Sequence, residues 1–127
     1  MKTKSIRGED IPEWEFGDVV IKRFSFGDKI RLANMSQTMS MKKEGGVEIS
    51  ERSELDAYTI TMYTVAAGIH SVKKNDNYDF LIPPHTHVDE KLKVVTNDEF
   101  TYEAGEYLVK EIKLLNAGLT EDVKKKS

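Results

Sequence analysis

Two histidines separated by one residue are the strongest candidates for chemistry in this sequence. They lie in the segment PHTHVDE, residues 84–90. On an extended strand His85 and His87 would point to the same side, and a carboxylate of the segment could complete a metal site. His70 is a possible third ligand, although a histidine at a helix C-terminus more often interacts with the helix dipole. The alternative, a polar loop after two prolines, is the one we expect, so we predict no metal and no cofactor.

The rest of the sequence lacks the common catalytic patterns. Cysteine is absent, no Gly-x-Ser-x-Gly element is present, and Gly45-Gly46 is not followed by the lysine–serine pair of a phosphate-binding loop. Carboxylate pairs such as Glu13 and Glu15 lie in polar surroundings, so we expect them to be solvated. We therefore predict a binding function in which no residue is catalytic.

Composition favours a small soluble protein. The 127 residues are 39% hydrophobic and 32% charged, which allows a modest core. The net charge of -3 and the pI near 5.7 argue against nucleic-acid binding, which normally needs a basic surface. No apolar run approaches the roughly 20 residues of a membrane span, and no apolar signal-peptide region follows the N-terminus. We expect a cytoplasmic protein with a flexible arm (1–11), one domain (12–119) and a polar tail (120–127).

A β-hairpin is predicted near the N-terminus. Segments 13–16 (EWEF) and 19–22 (VVIK) are joined by Gly17-Asp18, which suits a two-residue type II′ turn. In that register aromatic residues oppose aliphatic ones on a single face. Because an isolated hairpin is marginal in water, we expect this face to pack against helices.

A capping box predicts the first helix. Ser25 and Asp28 have the types and spacing to satisfy each other's backbone amides. The buried side of this helix is expected to contain Phe26, Ile30, Ala33 and Met35. The polar, methionine-containing segment 36–50 is predicted to be a mobile connection.

A second capping box, Ser53 and Asp56, predicts a helix whose apolar period runs to Ile69, with Gly68 near its end. After this helix we predict a charged turn over 73–79 and a short extended piece over 79–82. Two prolines end that piece, because a residue before proline avoids the helical region. The segment 91–95 is compatible with helix or strand.

Two amphipathic helices supply the predicted binding surface. The last helix spans 102–119 and takes its N-cap from residues 97–101. Along it and the second helix, apolar residues recur at three- and four-residue spacing. Since a small chain buries only part of such stripes within itself, we expect the remainder to contact a partner helix. The predicted partner-binding residues are Leu55, Met62, Ile69, Leu108, Val109, Ile112, Leu115 and Leu119.

These elements predict an α+β fold: a predominantly helical small domain with an N-terminal β-hairpin.

Three stretches in order resemble the tail assembly chaperones of long-tailed bacteriophages and prophages, namely 14–21 (WEFGDVVI), 63–69 (YTVAAGI) and 105–116 (GEYLVKEIKLLN). Segment 78–95 departs from the simpler all-helical pattern of that family. The resemblance implies a non-enzyme of the host cytoplasm that coats the apolar, helical tape measure protein until tail tube subunits replace it. A homo-oligomer is a possible assembly, and neither nucleic acid nor membrane is expected as a partner.

Two other classes of function stay open. One is a structural virion component, such as a connector or tail-tube-associated protein, which would remain in the finished particle. The other is a small metal-dependent enzyme using His85 and His87, which would carry a stoichiometric metal ion.

Overall fold

Helices and an antiparallel sheet make up the part of the chain that the computed structural model describes, residues 2–44, 50–75 and 79–126, with side chains for 2–35, 57–75 and 79–117. In chain order the elements are β1 (Thr3–Ile6), a 3-10 helix (Gly8–Asp10), β2 (Val19–Lys22), α1 (Phe26–Glu44), α2 (Ser50–Gly68), β3 (Ile69–Lys73), β4 (Phe80–Ile82), α3 (Val88–Val95) and α4 (Tyr102–Lys126). This arrangement confirms the predicted α+β class.

The sheet is antiparallel throughout, with the strand order β1-β2-β3-β4. One row of paired, buried residues crosses all four strands: Ile6, Val19, Val72 and Ile82. Lys4 lies on the same face as Ile6, since side chains alternate along a strand. Its ammonium contacts the Glu111 carboxylate of α4 at 2.8 Å. The apolar face of the sheet is therefore turned toward α4.

Strand β1 occupies part of the predicted flexible arm, so that prediction is wrong for residues 3–6. These residues pair with β2, and Ile6 is buried. This strand is difficult to predict from the sequence because Ile6 is its only apolar residue. Thr3 and Ser5 are exposed, and Lys4 forms a salt bridge with Glu111 of α4. The period-two alternation by which a strand is normally recognised is therefore missing.

The N-terminal hairpin consists of β1 and β2, and the predicted pairing of 13–16 with 19–22 is wrong. Residues 13–16 form no strand. Gly17 and Asp18 extend the ladder between β2 and β3: the Gly17 N–H donates to the Lys73 carbonyl at 2.8 Å, and the Lys73 N–H donates to the Asp18 carbonyl at 2.9 Å. A Cβ on Gly17 would lie 2.8 Å from the Asn75 carbonyl oxygen. Glycine is needed here for a close approach of two backbones, and not for a hairpin turn.

Local capping signals in the sequence are confirmed at two helices. At α1, the Asp28 N–H donates to Ser25 Oγ and the Ser25 N–H donates to Asp28 Oδ2, both at 3.1 Å. At α4, the Ala104 N–H donates to Thr101 Oγ1 at 3.3 Å, so the N-cap lies within the predicted 97–101.

The predicted buried side of α1 is wrong for three of its four residues. Phe26 is 81% exposed, Ile30 is 44% exposed and Ala33 is exposed, whereas Leu32 and Met35 pack against the core. The reason is that α1 packs mainly on α2 and not on the sheet, so only a narrow face is covered.

The predicted mobile connection over 36–50 is also corrected in part. Residues 36–44 continue α1, and residue 50 begins α2. Residues 45–49 lie outside the described residues.

Helix α2 begins at Ser50, three residues before the predicted start, and the side chains of the second predicted capping box lie outside the described residues. It ends at Gly68, because Ile69 pairs with Ile21 and starts β3. A Cβ on Gly68 would lie 2.6 Å from two carbons of Ile112. Gly68 therefore permits the close packing of α2 on α4.

The remaining predictions have mixed outcomes. The extended piece over 79–82 is confirmed as β4, and the segment 91–95 belongs to α3. Helix α4 continues past the predicted end at Leu119 to Lys126, through most of the predicted polar tail. The predicted turn over 73–79 falls partly on residues 76–78, which the structure does not describe. Within the described ranges, no helix combines the length and apolar character needed to cross a membrane.

A buried lysine stands among the apolar residues of the core. Lys91 of α3 is 3% exposed, and its Nζ donates to the Ile69 carbonyl at 2.7 Å, where α2 gives way to β3. A positive charge is favourable at this C-terminal end of α2. Burial and, to a lesser extent, the charge of Lys22 nevertheless lower the pKa of Lys91 to about 8.

Candidate functional site

An apolar groove of about 290 Å³ lies between α2 and α4. It is lined by Tyr58, Thr61, Met62 and Val65 of α2, by Tyr102, Gly105 and Glu106 of α4, and by Val95, Phe100 and Thr101. We call it the α2–α4 groove. Pockets for whole small molecules start at roughly 300 Å³. The groove therefore lies at the lower limit of this range and can accept a few apolar side chains of a partner.

Gly105 keeps this groove open. In a helix interior, glycine destabilises by roughly 0.5–1 kcal/mol relative to alanine. Packing does not require it at this position, because the nearest neighbour of an added Cβ would be Phe100 Cε1 at 3.9 Å, an ordinary van der Waals contact. Gly68 differs, since a Cβ there would collide with Ile112. The structural effect of Gly105 is thus an open space on the surface of α4.

The rim of the groove is tied to the N-terminal part of the chain. Thr101 Oγ1 donates to the Glu13 carbonyl at 2.9 Å while it caps α4. The Trp14 and Phe100 rings meet edge to face, with centroids 5.2 Å apart. Trp14 Nε1 also donates to the Gly17 carbonyl at 2.8 Å. These contacts between distant segments hold Phe100 and Thr101 in place beside the groove.

Two exposed tyrosines flank the opening. Tyr58 is 52% exposed and Tyr102 is 61% exposed. The Tyr102 hydroxyl donates to Glu106 Oε1 at 2.5 Å. This hydrogen bond and the carboxylate charge raise the pKa of Tyr102, so the hydroxyl remains a donor at neutral pH. Tyrosine is enriched at protein interfaces because it offers a large apolar ring with a polar tip.

Three of the predicted partner-binding residues are core residues. Ile69, Leu108 and Ile112 are 0% exposed. The stripe of α4 that contains Leu108 and Ile112 is covered by the sheet and α2, so a partner cannot reach these side chains in this structure. The expectation that the chain leaves them exposed is therefore corrected.

The other predicted residues lie in varied environments. Met62 lines the α2–α4 groove. Val109 and Leu115 are partly buried against the core, and Val109 also lines a shallow depression that shares Thr61 and Glu106 with the groove. The side chains of Leu55 and Leu119 lie outside the described residues. Partner contact by these five residues stays a prediction.

Sequence reasoning did not single out Phe100, Tyr102 or Gly105 as site residues. A glycine inside a strongly amphipathic helix was the visible signal, since glycine at such a position costs about 1 kcal/mol relative to alanine. Phe100 and Tyr102 give no comparable signal, because only the packing of α4 on α2 brings them near Met62.

An acidic cleft adjoins the groove. Its lining residues include five acidic ones, Glu9, Glu13, Glu15, Asp98 and Glu99, together with Gly8, Ile11, Trp14 and Thr101. Thr101 lines both the acidic cleft and the groove. Glu13 has φ 51, a left-handed conformation that strains a non-glycine residue by roughly 1–3 kcal/mol. The hydrogen bond from Thr101 helps to hold it there.

The two candidate metal ligands, His85 and His87, make different contacts. His87 caps α3, with its Nδ1 accepting from the Asp89 N–H at 3.2 Å. His85 instead meets His70 edge to face, with ring centroids 5.2 Å apart. Burial lowers the pKa of His70, and the nearby His85 and lysine side chains lower it further. In the part of the chain that is described, no three His, Asp or Glu side chains are grouped to hold a metal ion.

Comparisons of the chain with protein families, curated protein sequences and solved structures found no match.

Proposed function

We propose that this chain is a phage or prophage tail assembly chaperone that binds an apolar helical segment of the tape measure protein in the α2–α4 groove, in the host cytoplasm and without catalysis. Gly105 is the observation that carries the proposal. Packing does not require this helix-interior glycine, and the side chain it lacks would partly fill an apolar groove.

The groove has the properties that helix-in-groove binding needs. Amphipathic helices dock by inserting apolar side chains at three- and four-residue spacing between two helices of a partner. Met62 and Val65 supply an apolar wall, and Tyr58 and Tyr102 supply exposed rings at the opening. A groove of about 290 Å³ offers limited contact per site. Limited contact suits a chaperone that tail tube subunits must later displace.

The link to tail assembly rests on the three stretches that resemble this family: two of them supply lining residues of the groove, and the third contacts its rim. Stretch 63–69 contributes Val65, and stretch 105–116 contributes Gly105 and Glu106. Stretch 14–21 contributes Trp14, whose ring packs on Phe100 at the rim. The presence of residues from two of these stretches in the groove lining supports a role of the groove in binding.

The test is co-expression of the chain with a tape measure protein, which we expect to be the product of a very long helical reading frame just downstream of its gene. We expect the wild-type chain to keep that protein soluble and to co-purify with it. Gly105→Leu fills the groove and should abolish both effects. Ala117→Leu, which enlarges an exposed position of the same helix outside the groove, is the matched control. The proposal is overturned if the wild-type chain does not bind, or if a folded Gly105→Leu variant binds as well as the control.

Composition of the finished particle is a second readout. Mass spectrometry of purified particles should not detect a chaperone, because tail tube subunits have replaced it. Stoichiometric amounts of the chain in the particle would instead identify a structural component, such as a connector.

A further inference from the structure

We propose that the α2–α4 groove and the acidic cleft form one continuous docking surface, whose occupant is a partner helix carrying apolar side chains followed at one end by lysine or arginine residues. This inference rests on the proposed function and adds the charge pattern of the bound segment.

The two surfaces adjoin at Thr101, immediately before α4. Asp98 and Glu99 line the acidic cleft, Phe100 and Tyr102 line the groove, and Thr101 lines both. Glu99 and Thr101 are two residues apart, so their Cα atoms are separated by at most about 7 Å. This distance is close to the 5.4 Å that a bound helix would advance in one turn. A helix that places apolar side chains in the groove, with its axis directed toward residues 98–101, therefore brings its next turn to the acidic cleft.

The charged residues of the cleft are all negative. Its described lining contains five acidic residues and no lysine, arginine or histidine. Glu9 is paired with Arg7 at 3.1 Å. For the other four, Glu13, Glu15, Asp98 and Glu99, the side chains have no hydrogen-bond or ion-pair partner among the residues that the structure describes. Such a patch attracts a basic segment and repels an acidic one, which sets the orientation of the bound helix.

The backbone that carries two of these carboxylates, those of Glu13 and Glu15, is held in position before a partner arrives. The loop that carries Glu13 and Glu15 is fixed to the rim by the hydrogen bond from Thr101 to the Glu13 carbonyl and by the packing of Trp14 on Phe100. Because the groove and the cleft are joined by these contacts, binding does not have to order them relative to each other.

The basic C-terminus of the same molecule is not the occupant. Helix α4 is continuous from Tyr102 to Lys126. At 1.5 Å per residue, Lys124 lies about 27 Å along the helix axis from Glu106, so it cannot fold back onto the groove. The remaining source within this chain is the C-terminus of a second copy, and the experiment below includes that outcome.

The experiment measures binding of two synthetic helical peptides to the full chain by fluorescence anisotropy. Both peptides carry the same leucine stripe; one ends in three lysines and the other in three glutamates. We expect the Kd of the lysine peptide to be lower by roughly tenfold at low salt, because several exposed charge pairs contribute together. This preference should shrink in about 0.5 M salt, where charges are screened within a few ångströms.

Paired variants identify the surface. Asp98→Lys with Glu99→Lys should remove or reverse the preference for the lysine peptide. Asp79→Lys with Glu90→Lys makes the same change in net charge outside the cleft and should preserve it. Gly105→Leu should abolish binding of both peptides. Circular dichroism establishes that each variant is folded.

The outcomes separate this inference from the proposed function. Equal binding of the two peptides, both lost in Gly105→Leu, overturns the charge pattern and leaves a groove that binds apolar helices. Binding of neither peptide overturns the inference, while co-purification with the tape measure protein judges the proposed function independently. If sedimentation velocity shows wild-type self-association that Asp98→Lys with Glu99→Lys abolishes, the occupant is a second copy and the assignment to a partner helix is overturned.

Discussion

Gly105 and Gly68 allow the same substitution to be made with opposite expected effects on stability. Gly105→Ala adds a Cβ whose nearest neighbour is 3.9 Å away, so the free energy of unfolding should rise by roughly 0.5–1 kcal/mol. Gly68→Ala places a Cβ 2.6 Å from two carbons of Ile112, a residue that is 0% exposed and cannot move aside freely. Overpacking of this kind typically destabilises by about 1–3 kcal/mol. For a domain of this size, 1 kcal/mol corresponds to about 4 °C in Tm.

Thermal unfolding followed by circular dichroism, with urea unfolding as a second measure, provides the stability comparison. We expect Tm to rise by about 2–4 °C for Gly105→Ala and to fall for Gly68→Ala. Binding of the lysine-ended peptide provides the functional comparison, and Gly105→Ala should bind more weakly although it is more stable. Proteins often carry such a stability deficit where binding requires it.

Either of two results would refute this reasoning. If Gly105→Ala lowers stability, then packing requires the glycine and its presence says nothing about function. If Gly105→Ala raises stability and binding is unchanged, then the open groove has no role in binding.

Three further predictions concern the framework of the domain. The folded pKa of Lys91, about 8, lies below its unfolded value of 10.5, so the unfolded chain binds more protons between these values and wild-type stability rises with pH. In urea unfolding, the free energy of unfolding of the wild-type chain should rise by about 1 kcal/mol between pH 7 and pH 9 through this group, and Lys91→Met should lack that rise. An equal rise in both proteins would contradict this. Ser25→Ala removes the acceptor of the Asp28 N–H and should lower the free energy of unfolding by about 1 kcal/mol; an unchanged urea midpoint would count against the cap. Asn116→Ala removes the side-chain oxygen that accepts the Phe24 N–H at 2.9 Å, and it should lower the free energy of unfolding by about 1–3 kcal/mol in the same assay. A negligible loss would mean that water replaces the amide.

The sequence by itself determined the features that depend on neighbouring residues. The capping box of Ser25 and Asp28 joins groups three residues apart, and the N-cap at Thr101 is equally local. The period of α4 was also readable, because it is a pattern of apolar residues within one segment. The short strand before two prolines was readable because a residue before proline avoids the helical region. These local signals are sufficient for the α+β class.

Only the tertiary structure decided which apolar residues are buried and where a groove remains. Ile6 belongs to a strand because Val19 lies opposite it, and Leu108 is in the core because the sheet and α2 cover it. The rim of the groove depends on the hydrogen bond from Thr101 to Glu13, which joins residues 88 positions apart. Periodicity along a helix shows that one side is apolar, but it carries no information on which neighbour covers that side. For that reason the stripes were visible in the sequence, whereas the open space beside Gly105 arises only when α2 and α4 pack together.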